Sequence, residues 1–93
     1  MKLISLANCG KHEIGIVRQI DEAQMPKKAG LISGEVESRL LEMGFIEGAV
    51  LEVLHLGAWG KDPIAVRINN SNSIIALRKN EAAAILLEKV DNA

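Results

Sequence analysis

Arg39-Leu40-Leu41-Glu42-Met43-Gly44-Phe45-Ile46-Glu47-Gly48, followed after a short span by Asp62-Pro63-Ile64, is the stretch on which the reading of the fold turns. Val36, Leu40 and Met43 recur at helical spacing, so one face of this helix is apolar. Gly44 stands where the chain must leave the helix through a left-handed conformation, and Phe45 is placed to fold back onto Leu40. Beyond Gly48 the apolar period drops from helical to two. A helix that runs straight into a strand is the expected result.

Upstream of the helix, residues 13–20 are rich in β-branched side chains and place Ile14, Ile16, Arg18 and Ile20 on one side of a strand. Residues 21–33 mix acids, Lys27-Lys28, Pro26 and Gly30 without a clean period, which predicts a loop holding at most a turn of helix. Ser33 or Gly34 then caps the helix, and Glu35 and Glu37 sit in a first turn where the helix dipole favours negative charge.

Downstream, residues 49–56 set Leu51, Val53 and His55 against Val50, Glu52, Leu54 and Leu56, as in a strand with both faces partly apolar. Ile64, Val66 and Ile68 face one way in the next strand. Asn69-Asn70-Ser71-Asn72 then supplies side chains that tolerate positive φ, so residues 64–68 and 73–77 form a hairpin. Asn80 can cap a turn over residues 81–84, before a last strand at residues 85–87 and a charged tail. This order has too few long helices for parallel crossovers. It predicts a mainly β fold: a small antiparallel barrel with one inserted helix and a helical turn before the final strand.

Ninety-three residues allow one domain, taken here as residues 1–93, and 48% hydrophobic with 25% charged residues is a globular composition. Eleven basic and twelve acidic side chains nearly cancel and are evenly spread, so no basic footprint for nucleic acid exists. Phe45 and Trp59 are the only aromatic residues, too few for base-stacking platforms. Cys9 is the sole cysteine, no secretory leader is evident, and no apolar run reaches the roughly 20 residues of a bilayer span. A cytoplasmic protein that reaches any membrane through a partner is expected.

Chemistry-bearing patterns are sparse. Cys9, His12 and Glu13 lie close in sequence and His55 adds a second imidazole, but one cysteine and two histidines do not complete a structural zinc site. No serine sits in a nucleophile elbow, and Gly57-Ala58-Trp59-Gly60 lacks the phosphate-cradling pattern. Neither catalysis nor a resident metal or cofactor is expected. Trp59, alone in a loop between strands, is a candidate for protein contact or for a lid over the core, with Lys61 as a rim charge. Arg39 either locks the helix to the sheet or pairs with a partner carboxylate.

Three pieces in order resemble the FeoA family: Arg39 to Gly48, Asp62-Pro63-Ile64, and Ile75-Ala76-Leu77-Arg78-Lys79-Asn80-Glu81-Ala82. The resemblance spans residues 14–90. It implies an SH3-like barrel that assists ferrous iron uptake through a FeoB-type membrane GTPase transporter; the side-chain chemistry above makes Trp59, Lys61 and Arg39 the candidate partner-binding residues. The connection over residues 21–33 is longer than the family's usual link. Alternatives are an interaction module related to the terminal domain of metal-dependent repressors, or a small metal-binding protein using His12, His55 and carboxylates. Weak self-association through an open sheet edge stays open.

Overall fold

A computed structural model describes residues 2–26 and 34–90. Strands β2 (Ile14–Ile20), β3 (Val50–Leu56), β4 (Ile64–Ile68), β5 (Ile74–Leu77) and β6 (Ile85–Val90) lie where the alternation predicts them. A further short strand, β1 (Ile4–Ser5), has no signal in the sequence. All pairings are antiparallel, in the order β1-β6-β2-β3-β4-β5. Two helices, α1 (Glu35–Glu42) and α2 (Lys79–Ala82), and the 3-10 turns Leu6–Asn8 and Glu22–Gln24 complete the described elements.

The inward face of the sheet supplies Val17, Leu51, Val53, Ile64, Val66, Leu77, Ile85 and Leu87, each at most 2% exposed. Val36, Leu40 and Phe45 join this cluster from α1 and the residues just after it. Burying a side chain of this size stabilises by about 1.5–3 kcal/mol, so this cluster dominates folding. Strict alternation fails twice. A register shift between Val17 and Gln19 turns Ile20 back toward the core, away from the side shared by Ile14 and Ile16. A second shift, between Val53 and His55, leaves His55 exposed and packs Leu56 against the cluster. Bulges insert one unpaired residue, and everything beyond changes face.

The exit from α1 follows the expected geometry. Gly44 has φ 109°, its N–H donates to Leu41 O (3.1 Å), and the Phe45 N–H donates to Leu40 O (3.0 Å). These two bonds make a Schellman motif, and its hydrophobic pair is Leu40 and Phe45, both fully buried. The entry falls at one of the two expected cap residues. Gly34 occupies the cap position with φ 86° and offers no side chain, while Ser33 lies outside the described residues. The cap comes from Glu22, whose carboxylate accepts from the Gly34 N–H (2.9 Å) and the Glu37 N–H (2.7 Å). Those donors, Gly34 first, hold the Glu22 carboxyl below the ordinary carboxylate range.

The β4–β5 turn carries positive φ at Asn69 and Asn70 and closes with Ser71 N–H to Ile68 O at 2.9 Å. The helical turn is shifted from the expected 81–84. It spans Lys79–Ala82 with Arg78 as cap residue, and Asp62 rather than Asn80 accepts the Lys79 N–H (3.0 Å). The last strand runs on to Val90, because Glu88 and Lys89 are strand residues paired with Arg18 and Glu13.

The expected closed barrel is not reached by hydrogen bonding: the sheet ends at β1 and β5, which do not pair with each other. α2 packs against the first 3-10 turn, and the Ser5 hydroxyl donates to Ala83 O (3.0 Å) at the end of α2. After β5 the chain turns into α2 and re-enters the sheet as β6, between β1 and β2, so β5 and β1 stay separate ends of one open sheet. No helix among the described residues is long and apolar enough to cross a membrane.

Candidate docking site

The loop between β3 and β4, residues 57–63, is built to project its tip. At its root the Gly57 N–H donates to Pro63 O (2.8 Å), and a Cβ on Gly57 would lie 2.1 Å from Asp62 O. Only glycine lets the two limbs cross this closely. At the tip, Gly60 (φ 64°) and Lys61 (φ 66°) both adopt left-handed backbone, which reverses the chain.

α2 clamps this loop from outside. Asp62 Oδ1 accepts the Lys79 N–H (3.0 Å), Asp62 Oδ2 lies 3.4 Å from Arg78 Nη2, and Lys79 Nζ donates to Gly60 O (3.2 Å). An open cleft of about 710 Å³ borders this junction, lined among others by Ser5, Asn8, Gln24, Asp62, Arg78 and Asn80.

Held this way, Trp59 is 87% exposed and covers no core, so the lid reading does not hold. Lys61 is exposed on the same loop, and Arg78 and Lys79 add two more cations beside the carboxylate of Asp62. Tryptophan presented to water with a cationic rim is an arrangement suited to protein contact. Arg39 is placed differently: its guanidinium pairs with Glu81, joining α1 to α2. α2 therefore holds the loop on one side and α1 on the other, and Arg39 is connected to Trp59 and Lys61 through it.

Sequence reading singled out Trp59, Lys61 and Arg39 for contact and left Asp62, Lys79 and Glu81, the side chains that hold them, as motif residues without a contact role. The signal was present in the three motif pieces. Arg39 belongs to the first, Asp62 to the second, and Arg78, Lys79 and Glu81 to the third, so the pieces are the parts of one contact network.

The metal-ligand candidates are scattered in role. Cys9 is 3% exposed with Sγ 3.7 Å from Ser5 O, and burial, followed by the nearby Glu13 charge, pushes its thiol up to about 11. His12 and His55 are exposed. The Glu13 carboxylate is occupied by the Gly10 N–H and by Lys89, which hold its pKa below the ordinary value. Among the described residues no three His, Cys, Asp or Glu side chains gather to hold a metal ion.

Solved structures of the same shape are known. A FeoA-like protein from Clostridium acetobutylicum is 26% identical, with 100% of this chain and 93% of that one aligned and a TM-score of 0.77. A zinc-complexed FeoA from Stenotrophomonas maltophilia, described as a prokaryotic SH3 domain protein, is 21% identical over 91% of this chain and 89% of that one, with a TM-score of 0.70. A manganese-dependent transcriptional repressor is 19% identical over 97% of this chain, at a TM-score of 0.77, and this chain spans 38% of it. No curated protein sequence matches. The FeoA domain model covers residues 4–89, and on that match this chain belongs to the FeoA domain family.

Proposed function

We propose that this protein is a non-catalytic cytoplasmic accessory in ferrous iron uptake, and that it binds the cytosolic part of a FeoB-type membrane GTPase transporter. Family membership supports the pathway. The observation that carries the mode of action is Trp59, 87% exposed on a loop that α2 holds in place. An exposed indole costs little stability where it stands and gains most when a partner covers it. Lys61, Arg78 and Lys79 around it suit an acidic rim on the partner. Binding would shift the transporter's conformational balance only through a difference in affinity between its states.

Titration of the purified protein with the purified cytosolic GTPase region of the transporter tests this. Saturable binding that quenches or shifts Trp59 emission is expected. Absence of binding at high micromolar concentrations of both proteins counts against the reading. The likeness to the repressor favours a second use of the same fold, as an interaction module of a metal-dependent regulator. In that case the binding partner is a DNA-reading protein and the GTPase region fails to compete for it.

A further inference from the structure

The two edges of the sheet are unequal. β1 has two residues and passes at once into a 3-10 turn, so it offers little to another strand. β5 has four residues, pairs with β4 without a register shift, and has no described strand on its other side. Natural edges are usually guarded by charge, proline or a bulge. β5 has none of these: no charged residue occurs between Arg67 and Arg78, and Ile74 is 58% exposed.

We propose that β5 is a self-association edge, on which a second copy of this chain adds its own β5 antiparallel about a two-fold axis. The register follows from the faces. Opposite β4, Ile74 and Ala76 pair with Arg67 and Ala65 on the outward side, while Ile75 and Leu77 pair with Val66 and Ile64 on the core side. Directly opposed residues share a face, so an axis through Ile75 sets Ile74 against Ala76 of the second copy and Ile75 against its counterpart. The neighbouring axis through Ala76 would set Ile74 against Arg78, which begins α2 and is engaged with Asp62.

The composition of the edge selects the occupant. An uncharged strand meets its own copy with no like charges opposed, and it offers no charge by which to choose a charged foreign strand. The short β1 edge stops the assembly at a closed pair, because an isologous contact uses the one β5 on each copy. A contact of this size lies at the small end of interface areas, so the dimer is a weak one that forms at high protein concentration. Trp59 takes no part in the ladder, and this inference stands independently of the proposed partner.

Single-cysteine pairs test the register. Opposed antiparallel residues have Cα atoms about 4.5–5.5 Å apart, within reach of a disulfide. The native thiol of Cys9 is buried and its pKa is raised, so it stays out of the reaction. A mixture of Ile74→Cys and Ala76→Cys proteins under mild oxidation is expected to give cross-linked dimer in several-fold excess over either variant alone. Equal yields in all three samples, or none, overturn the proposed pairing. Sedimentation supplies the second measurement: the wild-type apparent mass should rise toward twice the monomer with concentration, and Ala76→Asp should weaken that rise by about tenfold or more. A wild-type protein that stays monomeric at every soluble concentration, or an Ala76→Asp protein that dimerises equally well, overturns the proposal.

Discussion

The connections on either side of β3 use opposite strategies. The β2–β3 connection carries α1 and sends Val36, Leu40 and Phe45 into the core at 4%, 0% and 0% exposure. The β3–β4 connection sends Trp59 the other way, to 87% exposure. Each has a glycine at its critical point, Gly44 or Gly57, and each is tied to α2, through Arg39–Glu81 or Asp62–Lys79. One connection spends its large side chains on folding. The other keeps its largest side chain uncommitted, on a support that folding has already ordered, so little ordering entropy remains to oppose binding.

The largest effect that tests this contrast is at Phe45. Phe45→Ala removes a fully buried ring from the junction of α1 and the sheet, and should destabilise by about 3–5 kcal/mol. Urea denaturation followed by circular dichroism measures it. A loss under about 1 kcal/mol would mean that the first connection does not anchor the fold, and the contrast fails.

A smaller effect separates the two ends of α1. Glu22 caps the helix from outside, and its folded-state pKa is depressed by the N–H groups of Gly34 and Glu37. In the acid range the unfolded chain then binds the proton more tightly than the folded one. The stability Glu22 contributes is therefore fully present above the ordinary carboxylate range and disappears as pH falls through its depressed folded value. Glu22→Gln should lower the melting temperature near neutral pH by less than Phe45→Ala does, and the difference from wild type should shrink on acidification. A difference independent of pH would show that the charge is not what caps α1.

These two ends also mark how far the sequence could be read. The exit from α1 lies within six consecutive residues, Leu40 to Phe45, and local patterns carry it whole. The entry depends on a carboxylate twelve residues upstream, and nothing in the spacing of Glu22 and Gly34 announces it. The same divide runs through the sheet. β3, β4 and β5 pair with sequence neighbours across short turns and were legible. β1 pairs with Leu86 and Leu87 at the other end of the chain, and two residues cannot show a period. Glu88 and Lys89 read as a solvated tail because their partners, Arg18 and Glu13, come from β2 and the turn before it. In the candidate site Trp59 was visible by its chemistry, whereas its posture was hidden in contacts between loop and α2 some seventeen residues apart.

The smallest effect on folding should come from Trp59, and it is the most informative. Trp59→Ala removes a side chain that packs against almost nothing, so its unfolding free energy should stay within about 0.5 kcal/mol of wild type. If the second connection is the docking element, the same substitution should weaken binding to the GTPase region by about 2 kcal/mol or more, a loss of roughly thirtyfold. Because Trp59 is the only tryptophan, the wild-type protein reports on the question without a label. Its emission should be that of a water-exposed indole in the free protein and should move to shorter wavelength only when a partner covers it. Equal losses of stability and binding would mean that Trp59 supports the fold. Stability lost with binding retained would reverse the roles of the two connections. Binding lost at unchanged stability is the result that separates a side chain held for a partner from the buried ones that hold the protein together.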